Sequence, residues 1–356
     1  MSLSIGIVGL PNVGKSTLFQ TLTKKQVSAE NYPFCTIEPN IGTVPVPDSR
    51  LQALADISKS LKVLPTTIEF IDIAGLVRGA SKGEGLGNAF LANIRSVDAI
   101  CHVIRSFHND DITHVENRIH PLEDADIINT ELLLADLDQI TKALPQVEKK
   151  AKSKDALSLE VLPILQKILP QIESGTAIRD AGLDSEELFA IKSYSFLTAK
   201  PMLYVVNTDE TYTLNDDLIQ SLGKSIIPLS IKIESEISLM EEEEQKEYLA
   251  MLGRDISGLD VLIRAGYDLL NLISFLTTGP QETRAWTVGR GTLAPQAGGV
   301  IHSDIERGFI MADIISYQDF IDCGGESGAR QQGKLRQEGK SYIIQDGDIC
   351  HFKFNV

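Results

Sequence analysis

Gly9-Leu10-Pro11-Asn12-Val13-Gly14-Lys15-Ser16 sets two glycines, a lysine and a serine in the spacing G-x-x-x-x-G-K-S. The stretch follows an apolar strand pattern, SIGIVGL, and opens an amphipathic helix pattern from Lys15. A glycine-rich turn leading into a helix N-terminus offers a ring of backbone N–H groups to anionic oxygens. The chemistry expected is phosphate binding, with Asn12, Val13, Gly14, Lys15, Ser16 and Thr17 as the cradle. Lys15 would reach the β- and γ-phosphates as a catalytic charge, and the Ser16 hydroxyl would ligate Mg²⁺.

Further along, Asp72-Ile73-Ala74-Gly75 ends a second apolar strand pattern, TIEFIDIAG. A carboxylate there can hold Mg²⁺ directly or through water, and the Gly75 N–H can meet a γ-phosphate because no side chain blocks it. Thr36, in the polar stretch Tyr32–Asn40 between these motifs, is the natural switch threonine, so the predicted metal set is Ser16, Thr36 and Asp72. Asn207-Thr208-Asp209-Glu210 follows the strand PMLYVV. GTPases carry N-K-x-D at this point, where the aspartate takes two hydrogen bonds from guanine and the lysine stem packs on the base. Here Thr208 replaces the lysine, and the carboxylate at Glu210 is one methylene longer. A clamp altered in this way no longer rewards guanine, which points to ATP. Asn207, Glu210, Ser230 and Ile231 form the predicted base site. A GTPase with a degenerate base motif is the alternative; a binding or stress-regulatory protein that holds nucleotide as a ligand is the third reading.

The elements that must position these residues alternate strands and helices through residues 1–105 and resume at 201–233, the logic of a mostly parallel α/β sheet. Between them, Leu133, Leu137, Ile140, Leu144 and Val147 step by four and three, and Leu157, Val161, Ile164, Ile168 and Ile172 continue the seam. An antiparallel helical hairpin is expected, with a polar tip at Lys149–Asp155. Pro145, Pro163 and Pro170 predict kinked or segmented helices. Thr277-Thr278-Gly279-Pro280 reads as a linker to a small α+β domain. The expected division is therefore 1–127 with 200–278 as an α/β P-loop domain, 128–199 as the insertion and 279–356 as the last domain. The net charge of −16 argues against nucleic-acid binding by the whole surface. Arg330, Lys334, Arg336 and Lys340 stand out as a local basic cluster able to meet RNA phosphates. The four cysteines form no CxxC, no run approaches 18 apolar residues, and no signal-peptide pattern opens the sequence. A cytoplasmic, non-membrane protein is expected.

The chain resembles the YchF (Obg-like ATPase) family over essentially its full length. The resemblance rests on GLPNVGKSTLF, YPFCTIEPN, DIAGLVRGASKGEGLGNAFLANIR, the N-x-x-E at Asn207–Glu210, SIKIESE and the tail Gln345-Asp346-Gly347-Asp348. It implies a G domain with a helical insertion, a C-terminal ubiquitin-like TGS domain, ATP in preference to GTP, and association with ribosomes or the large ribosomal subunit. Leu76 stands where Ras-like proteins carry a water-orienting Gln. The family pattern points to the histidine of Ile112-Thr113-His114-Val115, so His114 is the candidate catalytic replacement, with His108 as its unassigned neighbour. Asn12 stands where K⁺-assisted relatives have a cation-coordinating Asn, which makes K⁺ a second candidate.

Overall fold

A computed structural model describes residues 3–25, 40–73, 86–109, 118–209, 216–223 and 225–355. In chain order the elements are β1 (Ser4–Val8), α1 (Lys15–Lys24), β2 (Ile41–Pro45), α2 (Arg50–Ser58), β3 (Lys62–Leu64), β4 (Thr67–Asp72), α3 (Leu86–Ser96) and β5 (Ala99–Arg105). Next come α4 (Pro121–Lys152), α5 (Ala156–Glu173), α6 (Ser185–Ala190), β6 (Met202–Asn207), α7 (Asp216–Leu222), β7 (Ile226–Leu229), α8 (Ile231–Ile237), α9 (Glu242–Met251) and α10 (Gly258–Leu269). The last are β8 (Leu272–Thr278), β9 (Glu282–Gly289), α11 (Ala294–Ile301), α12 (Ser303–Arg307), β10 (Phe309–Ser316), α13 (Tyr317–Asp322), α14 (Glu326–Gln331), β11 (Arg336–Glu338) and β12 (Asp348–Phe354).

These elements form two compact units, the first made of residues 1–25, 37–42 and 69–259, the second of 26–36, 43–68 and 260–356. The first unit is an α/β sheet in the order β2-β4-β1-β5-β6-β7. β1 pairs in parallel with β4 on one side and β5 on the other, and β5, β6 and β7 continue in parallel. Every residue of β1, β5 and β6 is buried, as expected for central strands covered on both faces. Because the chain goes from β1 to β4 on one side and then to β5 on the other, the order reverses at β1. Ligands of open α/β sheets bind beyond the carboxyl ends of the strands at such a reversal.

The inserted hairpin is α4 and α5. Ile140 and Val147 of the predicted seam are buried against Val161, Ile164, Ile168 and Ile172, while Leu133, Leu137 and Leu144 are partly buried beside them. Leu157 departs from the predicted seam: it is 72% exposed, and Leu165, fully buried, takes its place in the packing. Pro145, Pro163 and Pro170 all lie inside helices that continue through them, so the expected segmentation does not occur. A proline inside a helix costs about 3 kcal/mol, a cost the apolar seam on both sides of each proline offsets. α4 also begins seven residues before the insertion's predicted start at 128, and its first turns belong to the sheet, with Ala125, Ile128 and Leu132 buried and Asn129 Nδ2 donating to Tyr204 Oη at 3.1 Å. At the foot of the hairpin, the Asp136 carboxylate accepts from Leu197 N, Thr198 N and Thr198 Oγ1 at 2.9, 2.7 and 2.7 Å.

The second unit holds a mixed sheet in the order β11-β10-β12-β8-β9-β3. β8 and β9 form an antiparallel hairpin closed by the Gly279 N–H donating to the Glu282 carbonyl at 3.1 Å, so Thr277–Pro280 is the end of a strand and its turn rather than a linker. This unit also recruits 43–68, a segment read from sequence as part of the first domain. The reason is burial: Leu51 and Leu54 of α2 pack with Leu276, Ala285, Ile315, Phe320 and Ile349, and β3 adds to the sheet alongside β9. On the opposite face, Ala294 and Ala297 of α11 cover Phe275, Phe309 and Phe352. β12 begins at Asp348, and of the preceding stretch Ile343 makes a single bridge to Leu293. Cys350 and Phe352 are buried, whereas Phe354 is 45% exposed.

Candidate functional site

The P-loop leaves the end of β1 and turns into α1 through backbone that few side chains tolerate. Gly14 has φ 105°, and a Cβ there would lie 2.6 Å from Asn207 Nδ2. At Gly9 a Cβ would lie 2.5 Å from the Val103 carbonyl, so the turn can hug β5 only without a side chain. Lys15 is buried, and its ammonium donates to the Leu10 carbonyl at 2.8 Å, holding it across the loop. Burial lowers the Lys15 pKa, and the nearby Asp72 charge works against that shift. Asp72, at the end of β4 and opposite Ile7 of β1, shows the mirror image. Burial raises its carboxyl, opposed by the Lys15 charge and by a hydrogen bond from the Ser16 side chain. Asp72 Oδ1 is buried and has no hydrogen-bond partner among the described residues. An unpaired buried carboxylate oxygen beside a serine hydroxyl is the donor chemistry a hard divalent cation takes, so Ser16 and Asp72 fit Mg²⁺.

A cleft of about 920 Å³ runs from this point along the carboxyl ends of the strands. Asn12, Gly14, Lys15, Ser16 and Thr17 line one end; Asn207, Thr208, Asp209, Ser230 and Ile231 line the other. Val13 contributes only backbone, because its side chain is in the core. Asn207 is the joint between the two ends. Its Nδ2 donates to Val13 O at 3.0 Å, and its Oδ1 accepts from Ile231 N at 3.2 Å. These two bonds tie the phosphate loop to the start of α8.

Sequence reasoning missed the third wall. Arg105, buried at the end of β5, donates through Nε to Phe107 O at 3.2 Å and through Nη2 to Asn109 O at 3.3 Å, and its guanidinium lies 4.3 Å from the Phe107 ring centre. This holds Phe107, His108 and Asn109 in the cleft wall. The signal was available in register, since Arg105 pairs with Asn207 on β6 and so must reach the same edge. His108 is more than a neighbour of the catalytic candidate: it lines the cleft, and its N–H donates to Asp209 Oδ2 at 3.1 Å. Thr36, Gly75, Leu76, His114 and Glu210 lie outside the described residues.

Away from the cleft, the basic cluster of the second unit is largely neutralised. Arg330 pairs with Glu326 at 2.9 Å, Lys334 with Asp319 at 3.0 Å, and Arg336 with Glu338 at 3.3 Å. Lys340 alone of the four has no carboxylate partner among the described residues. No described helix is long and apolar enough to cross a membrane.

The arrangement of loops at the strand ends is that of a P-loop GTPase domain, and the model of the "50S ribosome-binding GTPase" family matches residues 4–136. A relative from Haemophilus influenzae named "Ribosome-binding ATPase YchF" is 55% identical, covering 100% of both chains. The chain belongs to the YchF family. Similarly named YchF relatives from Escherichia coli O157:H7 and Bacillus subtilis are 51% and 48% identical, again across 100% of each chain. The model of the YchF-type GTPase C-terminal region, described as a protein of unknown function, matches residues 272–355 and thus begins at β8. The solved structure of the Schizosaccharomyces pombe YchF GTPase superposes with a TM-score of 0.88 at 39% identity, covering 99% of this chain and 98% of that one. Fold and family membership agree: a YchF P-loop domain with an inserted hairpin, followed by the C-terminal domain.

Proposed function

We propose that this YchF-family chain is an ATP-hydrolysing molecular switch that works on the ribosome, in the cytoplasm. The observation that carries the ATP reading is the far end of the cleft, where Thr208 stands in the wall at the position of the guanine-reading lysine. A threonine side chain cannot cover a base as a lysine stem does, and Glu210 alters the carboxylate reach. With no guanine clamp to satisfy, a site of this kind gives up its discrimination against adenine. Ribosome association is supported by relatives of 48–55% identity that carry "ribosome-binding" in their names.

In this reading Asn12, Val13, Gly14, Lys15, Ser16 and Thr17 hold the phosphates, and Asn207 and Ile231 set the distance from P-loop to base loop. Ser230 and Glu210 meet the base. Ser16, Thr36 and Asp72 would hold Mg²⁺, which supplies charge neutralisation at the phosphates. Lys15 and the Gly75 N–H stabilise charge on the γ-phosphate, and His114 orients the attacking water in place of the residue that Leu76 cannot supply. K⁺ at Asn12 is the second means of supplying that missing charge. The solved S. pombe relative is named a GTPase, so guanine is the competing reading. Calorimetric titration with non-hydrolysable ATP and GTP analogues decides between them. ATP binding at least about tenfold tighter, roughly 1.4 kcal/mol, is expected; equal or reversed affinities overturn the assignment.

A further inference from the structure

Four lysines stand together at the tip of the α4–α5 hairpin. Lys149, Lys150 and Lys152 occupy the last turn of α4, and Lys154 sits in the turn with φ 62°. All four are exposed, and no carboxylate among the described residues lies within ion-pair distance of any of them. The neighbouring acid, Asp155, spends its carboxylate on Ser158 N at 2.9 Å and Ser158 Oγ at 2.6 Å as the cap of α5. Elsewhere several surface cations are paired: Lys142 with Asp138, Lys167 with Glu187, Lys246 with Glu242, and three of the four basic residues of the C-terminal cluster. In a chain of net charge −16, four exposed positive charges within six residues, with the Asp155 charge acting on Lys150, are a local reversal of sign.

Helix termini explain part of this. Lysines in a last turn interact favourably with the helix dipole. That accounts for neither Lys154, which lies beyond the helix, nor the mutual repulsion of charges spaced three and four apart. The position is also mechanical. From the Asp136 anchor to Lys152 the helix runs about 24 Å, stiffened by Ile140, Val147 and Ala151 against Val161, Ile164 and Leu165. Compact ammonium groups held on a rigid arm suit an array of phosphates, which they meet as point charges without reading bases.

We infer that the hairpin tip, Lys149, Lys150, Lys152 and Lys154, is the surface that docks this protein on ribosomal RNA phosphates, in place of the Arg330–Lys340 cluster. The inference rests on the ribosome reading, and its test separates the two. Wild type, Lys149→Glu/Lys150→Glu/Lys152→Glu/Lys154→Glu, the corresponding four-fold Gln variant, and Leu157→Ser/Leu159→Ser are compared in two assays across salt concentrations. One is cosedimentation with purified large ribosomal subunits; the other is filter binding to protein-free ribosomal RNA. Four phosphate contacts give a slope of roughly −3 in log affinity against log salt, so wild type loses about 60-fold between 50 and 200 mM. The Glu variant is expected to lose at least about 100-fold at 50 mM and most of that slope, with the Gln variant between. Turnover of ATP without ribosomes reports that the nucleotide site is intact in each variant. If the Glu and Gln variants bind both probes as wild type does, or if only the leucine variant loses binding, the tip does not dock on RNA and the proposal fails. Wild-type binding to free RNA but not to subunits, abolished by the Lys changes, keeps the tip as an RNA surface and overturns the ribosome reading instead.

Discussion

Asn207→Ala removes a side chain whose two hydrogen bonds reach two different loops, at Val13 O (3.0 Å) and Ile231 N (3.2 Å). The residue is 6% exposed, so both groups left behind are short of water. A buried neutral hydrogen bond is worth about 0.5–1.5 kcal/mol net, and two give about 1–3 kcal/mol. In the free protein part of that loss is relieved, because the loops relax and admit solvent. Bound nucleotide must bring the phosphate loop and the base loop back to their spacing, so the cost falls on binding. ATP affinity is expected to drop about 5- to 150-fold. The base is not involved in either bond, so GTP affinity should fall by the same factor and leave the ratio of the two unchanged. Asn207→Asp should be worse than Ala, since a carboxylate keeps the acceptor for Ile231 N but faces the Val13 carbonyl with no proton to donate. Isothermal titration with ATP and GTP analogues measures all of this. An affinity change under about twofold, or one confined to a single base, refutes the role of Asn207 as a tie.

Thr208→Lys combined with Glu210→Asp should move the ATP-to-GTP ratio towards GTP, by about tenfold where the rest of the pocket permits, read by competition titration. His114→Ala should leave ATP affinity intact and lower single-turnover hydrolysis by about 10²–10⁴-fold; turnover at the wild-type rate makes that histidine a bystander. His108→Ala, whose backbone and ring line the cleft beside Asp209, should instead alter affinity modestly, and a change in turnover at saturating ATP with no change in affinity would exchange the two roles. Asp72→Asn should abolish Mg²⁺-dependent turnover yet raise the melting temperature of the nucleotide-free protein at pH 7. Burial holds the Asp72 carboxyl above its ordinary value of 3.8, so ionising it penalises the folded state as pH rises through that window, a penalty Asn does not carry. Differential scanning calorimetry without metal or nucleotide checks the sign.

The phosphate end of the site was legible because its determinants are local: glycines, a lysine and a serine within eight residues have one common geometry. The parallel sheet followed from strand–helix alternation for the same reason. What could not be read depends on where distant strands end. The motif around Asn207 does not reveal the tie it makes, which requires β6 to place it beside both Val13 and Ile231. Arg105 looked like the polar end of a strand, and only register with Asn207 reveals that it shapes the cleft. Gly279-Pro280 carries the composition of a linker and of a hairpin turn alike, and the long-range pairing of Phe275 with Trp286 decides for the turn. Leu157 fits a heptad by spacing, yet lies one turn too near the hairpin's end to find a partner helix. The four lysines beside it fit a solvated tip by composition, and their place on a stiff arm emerges only from the packing of α4 against α5.

The second unit's discontinuity has a consequence for biogenesis. α2 and β3 are synthesised some two hundred residues before the strands they pack with, as the ranges 43–68 and 260–356 show. β12, at 348–354, is also an interior strand, lying between β10 and β8. Residues near the amino terminus therefore wait, with Leu51 and Leu54 unburied, through translation of the whole nucleotide-binding unit and nearly all of the C-terminal domain. Domains generally fold in order of synthesis, and closure of contacts this far apart in sequence is slow. The nascent chain passes through a long interval in which the P-loop unit can be assembled while α2, in the segment 43–68, still lacks the strands it packs with. That segment is a candidate client for chaperones, and the second sheet becomes cooperative only when its last strand inserts.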